Sequence, residues 1–131
     1  MKARLKLLTT AGAVSILSLT AAGPQPVLSQ IGGGLWEITG QRGAPPKRLC
    51  IQHPPMLAQV EHSSDRCTRT VLRNDSAAAM IEYRCAGGGF GHSEITMLTP
   101  RSIRIETQGI SGRVPFGYVA QARRVGQCRS H

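Results

Sequence analysis

Aromatic side chains are scarce in this chain. It holds one Trp, two Tyr and two Phe. Trp36, Tyr83, Phe90, Phe116 and Tyr118 cannot fill a core alone, so Val, Ile, Leu and Met must build most of it, and so thin a core gains from covalent staples. Acidic residues are few as well, seven in all. Asp65 and Asp75 sit beside turns, which leaves no support for a glycosidase-type carboxylate pair. No Gly-x-Ser-x-Gly elbow is present to carry a serine nucleophile. No apolar run reaches the roughly 20 residues that a membrane-spanning helix requires. Glycine is plentiful, yet Gly87–Gly91 lacks the Gly-Lys-Ser/Thr of a phosphate loop. His92 follows it and the next segment alternates as a strand. A loop or bulge fits that context.

The beginning of the chain has the make-up of a secretory signal peptide over residues 1–22. Lys2, Arg4 and Lys6 form a basic n-region, residues 7–19 an apolar h-region, and Thr20-Ala21-Ala22 the small residues that a signal peptidase accepts. Cleavage near Ala22 delivers the remainder to the periplasm or beyond, and no cysteine lies there to take a lipid anchor. The mature part divides into a Pro/Gly-containing leader over 23–33, expected to be mobile, and one domain over 34–131. The full chain carries a formal charge of +9. Without the three basic residues of the n-region the balance is thirteen basic against seven acidic, +6, with Lys47 as the lone lysine. That surplus suits an anionic partner, and it is also ordinary for a small soluble domain with dispersed charges. Nucleic-acid binding would interleave aromatic and basic residues on one face, which only Tyr118, Arg123 and Arg124 approach.

Four cysteines remain in the mature part, an even number behind a signal peptide, and they read as a disulfide framework. Residues 67–73 and 80–85 are β-prone, with turn chemistry at Asn74-Asp75-Ser76. Folded about Ser76, the hairpin sets Cys67 opposite Cys85 and Val71 opposite Ile81 on one face, with Thr70 opposite Glu82 and Thr68 opposite Arg84 on the other. Arg69 then falls on the apolar face opposite Tyr83 and must stack on the ring or reach the sheet edge. Cys50 and Cys128 pair by elimination. Zinc is disfavoured, because its structural ligands come in close pairs and these cysteines are separated by 16, 17 and 42 residues.

Further strand candidates are Gly34–Ile38, Lys47–Ile51 after the Pro45-Pro46 turn, and 115–125, while 92–98 and 101–107 alternate well, with one short helix over Pro55–Glu61. Gln108–Gly112 reads as a turn. Aligning 92–98 with 101–107 about Leu98-Thr99-Pro100 sets Ile95 against Ile103 and Met97 against Arg101, with Glu94 meeting Arg104 and His92 meeting Glu106. The expected fold is mainly β: an antiparallel meander of about six strands forming a curved sheet, half-barrel or small sandwich.

His92 and Glu94 share a strand face and are the one candidate acid–base or metal pair, the basis of a small-hydrolase alternative. Opposite-sign neighbours across the hairpin account for both without catalysis. No cofactor or metal site is expected. The leading expectation is a non-enzymatic binding or envelope-associated domain whose candidate partners are an envelope protein, a lipid or an anionic glycan. Trp36, Tyr83, Phe90, Phe116 and Tyr118, with Arg123 and Arg124, are the candidate binding residues, since aromatics and arginines often anchor interfaces. A structural protein-contact module of the envelope is the third possibility.

Gly34-Leu35-Trp36-Glu37-Ile38 at the start of the domain, the order Cys50, Cys67, Cys85, and the closing Arg123-Arg124-Val125-Gly126-Gln127-Cys128 together resemble the domain of unknown function 3617 family. Its members are small exported proteobacterial proteins with a Gly-x-Trp-Glu start and an Arg-x-x-Gly-x-Cys finish. The resemblance spans about residues 34–128. It implies an exported location and this cysteine architecture, and it supplies no established enzyme activity from which to infer a mechanism.

Overall fold

The computed structural model describes residues 10–19 and 23–129, and the expected cleavage site at Ala22 lies outside them. Seven strands form: β1 (Gly34–Thr39), β2 (Lys47–Ile51), β3 (Cys67–Asn74), β4 (Ala78–Cys85), β5 (Phe90–Thr99), β6 (Ser102–Ser111) and β7 (Val114–Gly126). They make one open antiparallel sheet in the order β2-β1-β7-β6-β5-β4-β3. From β3 to β7 each strand pairs with its successor, and the β1–β2 hairpin joins the free side of β7 through β1.

Period-two alternation sends one set of side chains to an inner face. Trp36, Ile38, Ile81, Tyr83, Ile95, Ile103 and Ile105 are all but inaccessible there. Each such isoleucine stabilises the fold by roughly 1.5–3 kcal/mol. A 3-10 helix, Pro54–His62, lies across this face and turns Leu57, Ala58 and Val60 into it. Two prolines open the helix, where the missing N–H costs nothing.

Buried polar groups tie the helix to the sheet. Ser93 Oγ on β5 donates to the Ala58 carbonyl at 2.5 Å and lies 2.8 Å from Thr107 Oγ1 on β6. His62 Nδ1 lies 2.9 Å from the Tyr83 hydroxyl. Arg69, opposite Tyr83 on β3, donates from Nη1 to Gln59 Oε1, and Gln59 in turn donates to the carbonyls of His62 and Asp65. The arginine on the apolar face is thus satisfied by the helix rather than by a ring. Glycine makes room for the aromatic groups: a Cβ on Gly91 would enter the Tyr83 ring, which stands on the neighbouring strand directly opposite.

Segment 23–33, expected to be a mobile leader, instead contributes to the core. Val27–Gln30 forms one helical turn, α1, and Val27 and Ile31 are buried. The β3–β4 turn satisfies its leading N–H groups: Val27 N donates to the Asp75 carbonyl at 2.7 Å and Leu28 N to Asn74 Oδ1 at 3.2 Å. Apolar residues four apart on a single turn are enough to dock it.

The β3–β4 register sets Cys67 opposite Cys85, Arg69 opposite Tyr83 and Val71 opposite Ile81, with a bulge at Leu72. Val71, on the inner side but at the sheet edge, is 44% exposed. Disulfides link Cys67 to Cys85 and Cys50 to Cys128, with Cα separations of 3.9 and 5.4 Å. The β5–β6 hairpin departs from the expected alignment by two residues. Ile95 faces Ile105, Met97 faces Ile103, Glu94 faces Glu106 and His92 faces Gln108. A two-residue turn at Pro100-Arg101 closes on a Thr99–Ser102 pair with Leu98 bulged, which shifts the register and moves Arg101 from its expected place opposite Met97 into the exposed turn, while the other paired side chains keep their expected faces. β5 begins at Phe90 rather than 92. β6 runs through 108–111, so the turn falls at Gly112-Arg113 instead of Gln108–Gly112. Both turn residues have positive φ, 57° and 67°, as a two-residue hairpin turn demands.

Candidate functional site

The outer face of β4–β7 is built from three cross-strand rows. Arg84, Phe90, Ile110 and Pro115 form the first, Glu82, His92, Gln108 and Gly117 the second, and Met80, Glu94, Glu106 and Val119 the third. With only glycine at 117 the middle row is low, and two adjoining depressions of about 480 and 490 Å³ meet over His92 and Gln108. One wall is apolar: Phe90 is 42% exposed, with the Arg84 guanidinium 5.7 Å from its ring centre. The other wall carries carboxylates. Glu94 and Glu106 stand directly opposite each other, an arrangement of like charges that is unfavourable by itself. Arginines offset it from either side, with Arg73 Nη2 3.3 Å from Glu94 and Arg104 Nη1 3.0 Å from Glu106. His92 Nδ1 lies 3.7 Å from Glu82 Oε1. The partner of His92 is therefore Glu82, and Glu94 is engaged by arginine. The expected Glu94–Arg104 and His92–Glu106 contacts do not form, because of the two-residue register shift.

Only some of the candidate binding residues come together. Tyr83, Phe116 and Tyr118 lie on the inner side and are joined by His62, whose ring meets Tyr83 and Phe116 edge-on at 5.4 and 5.8 Å. Phe116 stands 5.9 Å from Tyr118. Burial raises the hydroxyl pKa of Tyr83, and pushes that of Tyr118 up to about 12. Trp36 is apart in the core, its Nε1 donating to the Gly32 carbonyl at 3.0 Å. Phe90 alone of the aromatic set lies on the outer face. Arg123 is at the far end of that face, opposite Ser102 and Glu37. Arg124 Nε donates to the Gly33 carbonyl at 2.8 Å and braces the start of β1. Glu82, Gln108, Ile110 and Pro115 carry no motif, and only cross-strand pairing brings them to the groove.

Among the described residues no three His, Cys, Asp or Glu side chains are grouped so as to hold a metal ion, and no helix is long and apolar enough to cross a membrane. The two disulfides suit an oxidising, extracytoplasmic compartment. Comparison with protein-family models, with curated proteins and with solved structures finds no match. The structure therefore defines a disulfide-bonded antiparallel β domain.

Proposed function

We propose that this protein is an exported recognition domain of the bacterial periplasm, without catalytic activity, which receives its partner on the outer face of β4–β7. Three features support export: the n-, h- and small-residue order of the first 22 residues, the two disulfides, and the likeness of the domain's ends to the domain of unknown function 3617 family. The observation that carries the binding reading is the contrast between the two faces. The inner face is occupied by the Pro54–His62 helix and α1, whereas the outer face keeps a groove with an exposed Phe90 on its rim. Exposed aromatics beside arginine and polar groups are the usual anchors of an interface.

Titration of the exported protein with periplasmic lipids, peptidoglycan fragments and peptides, followed by amide NMR shifts, tests this. Shifts are expected to cluster at Glu82–Arg84, Phe90–Glu94 and Glu106–Ile110, and F90A/Q108A is expected to weaken binding at least tenfold with an unchanged urea midpoint. Binding that maps to the β1–β2 hairpin, or that F90A/Q108A leaves intact, refutes the reading.

A further inference from the structure

A second site lies away from the outer groove. The loop 40–46 joins β1 to β2 and bends back towards the end of the Pro54–His62 helix. There Glu61 is pulled inward, its side chain only 11% exposed. The Tyr118 hydroxyl donates to Glu61 Oε2 at 2.9 Å, and Gln41 Nε2 donates both to the Tyr118 oxygen and to the Val60 carbonyl at 3.2 Å. These contacts orient the carboxylate and leave Oε1 directed at the loop. Arg42 takes that position: its Nη2 lies 2.5 Å from Oε1 while the guanidinium carbon sits 5.6 Å from the Tyr118 ring centre. A fixed carboxylate beside an aromatic face is the pair of features by which proteins hold a guanidinium group.

The occupant is loosely mounted. Residues 42–46 are all exposed, so no apolar burial holds the loop down. Gly40 and Gly43 have φ of 85° and 74°, and Arg42 itself has φ of 45°, a left-handed conformation that suits glycine and strains a residue with a Cβ. Lys47 is anchored elsewhere, donating to the Val60 carbonyl at 3.2 Å and Ser63 Oγ at 3.0 Å. A depression of about 470 Å³ lies between the loop and Glu61, and gives an incoming side chain a way to the carboxylate.

We propose that Glu61 and Tyr118 form a binding site for the guanidinium group of an arginine side chain from a partner molecule, and that Arg42 is a tethered stand-in which occupies it until the loop lifts. Exchange swaps one guanidinium for another, so no charge is left unpaired in the site.

The test removes the stand-in. R42G places glycine at a φ that glycine prefers, so the fold is retained, as an unchanged urea midpoint checks. Titration with N-acetyl-arginine amide, followed through the ring protons of Tyr118, is expected to show saturable binding at least tenfold tighter in R42G than in the unaltered protein. R42G/E61Q is expected to lose it, and R42G/Y118L, which keeps the carboxylate, to weaken it. N-acetyl-lysine amide is expected to bind less well, since an ammonium cannot match the planar guanidinium contact. Absence of binding in R42G, equal affinity in R42G and the unaltered protein, or binding that survives both double variants overturns the proposal.

Discussion

Ser93→Ala probes the link between sheet and helix most directly. Ser93 is fully buried and Thr107 is 2% exposed, so neither can turn to water. The single hydroxyl proton of Ser93 goes to the Ala58 carbonyl, which can only accept, and the Thr107 hydroxyl is then free to donate to Ser93 Oγ across 2.8 Å. Removing Ser93 Oγ strands the carbonyl on the helix and deprives Thr107 of a partner. Each buried group left unpaired costs about 1–3 kcal/mol, so S93A is expected to destabilise by about 2–6 kcal/mol, which for a domain of this size is on the order of 10–30 °C in Tm. T107V keeps the shape and removes one of the two stranded groups. S93A/T107V is therefore expected to be more stable than the sum of the single variants implies, by about 1 kcal/mol. Urea unfolding with a constant m-value measures both quantities. An S93A protein within about 0.5 kcal/mol of the unaltered one, or strictly additive variants, refutes the view that this rail fastens the helix to the sheet.

Two further outcomes follow from the same framework. The Cys50–Cys128 bridge spans 78 residues and Cys67–Cys85 spans 18, so loop-closure entropy makes C50A/C128A more costly than C67A/C85A by about 1 kcal/mol; urea midpoints in the reverse order would show that closure entropy does not set the difference. Burial raises both Tyr83 and Tyr118, the latter to about 12. Above the ordinary tyrosine value of 10.0 the unfolded chain releases these protons first while the folded chain retains them. Stability is therefore complete below pH 10 and falls as pH rises towards 12. Tyrosinate absorbance and unfolding midpoints followed across that range check the sign, and Y118F is expected to flatten the decline.

Much of the fold was legible in local pattern. Local pattern marked a candidate for every strand, and the Cys67–Cys85 pair followed from one short hairpin whose turn chemistry and apolar face agreed on a register. Pro55–Glu61, with a proline at a tolerated early position, was enough to expect a short helix. The β5–β6 register was not legible, because Thr99-Pro100-Arg101 admits two closures that differ by two residues and leave the same isoleucines inward. Pattern with a period of two cannot tell them apart. Val27 and Ile31 lay within a Pro/Gly-containing segment whose docking depends on surfaces built by residues distant in the chain, the β3–β4 turn almost fifty residues later among them.

The candidate sites were the least legible part. Phe90 sat within a run of glycines and read as a connection, although pairing with Arg84 and Ile110 makes it the rim of a groove. Arg42 and Glu61 are nineteen residues apart with nothing in either neighbourhood to link them. What the amino-acid order determined by itself was the inner and outer side of most strand residues and the cysteine pairing, since these depend on contacts within one or two hairpins. Which outer residues become neighbours, and which carboxylate meets which guanidinium, was decided by the tertiary structure, because cross-strand register and the seat of the helix are settled by burial summed over all seven strands at once.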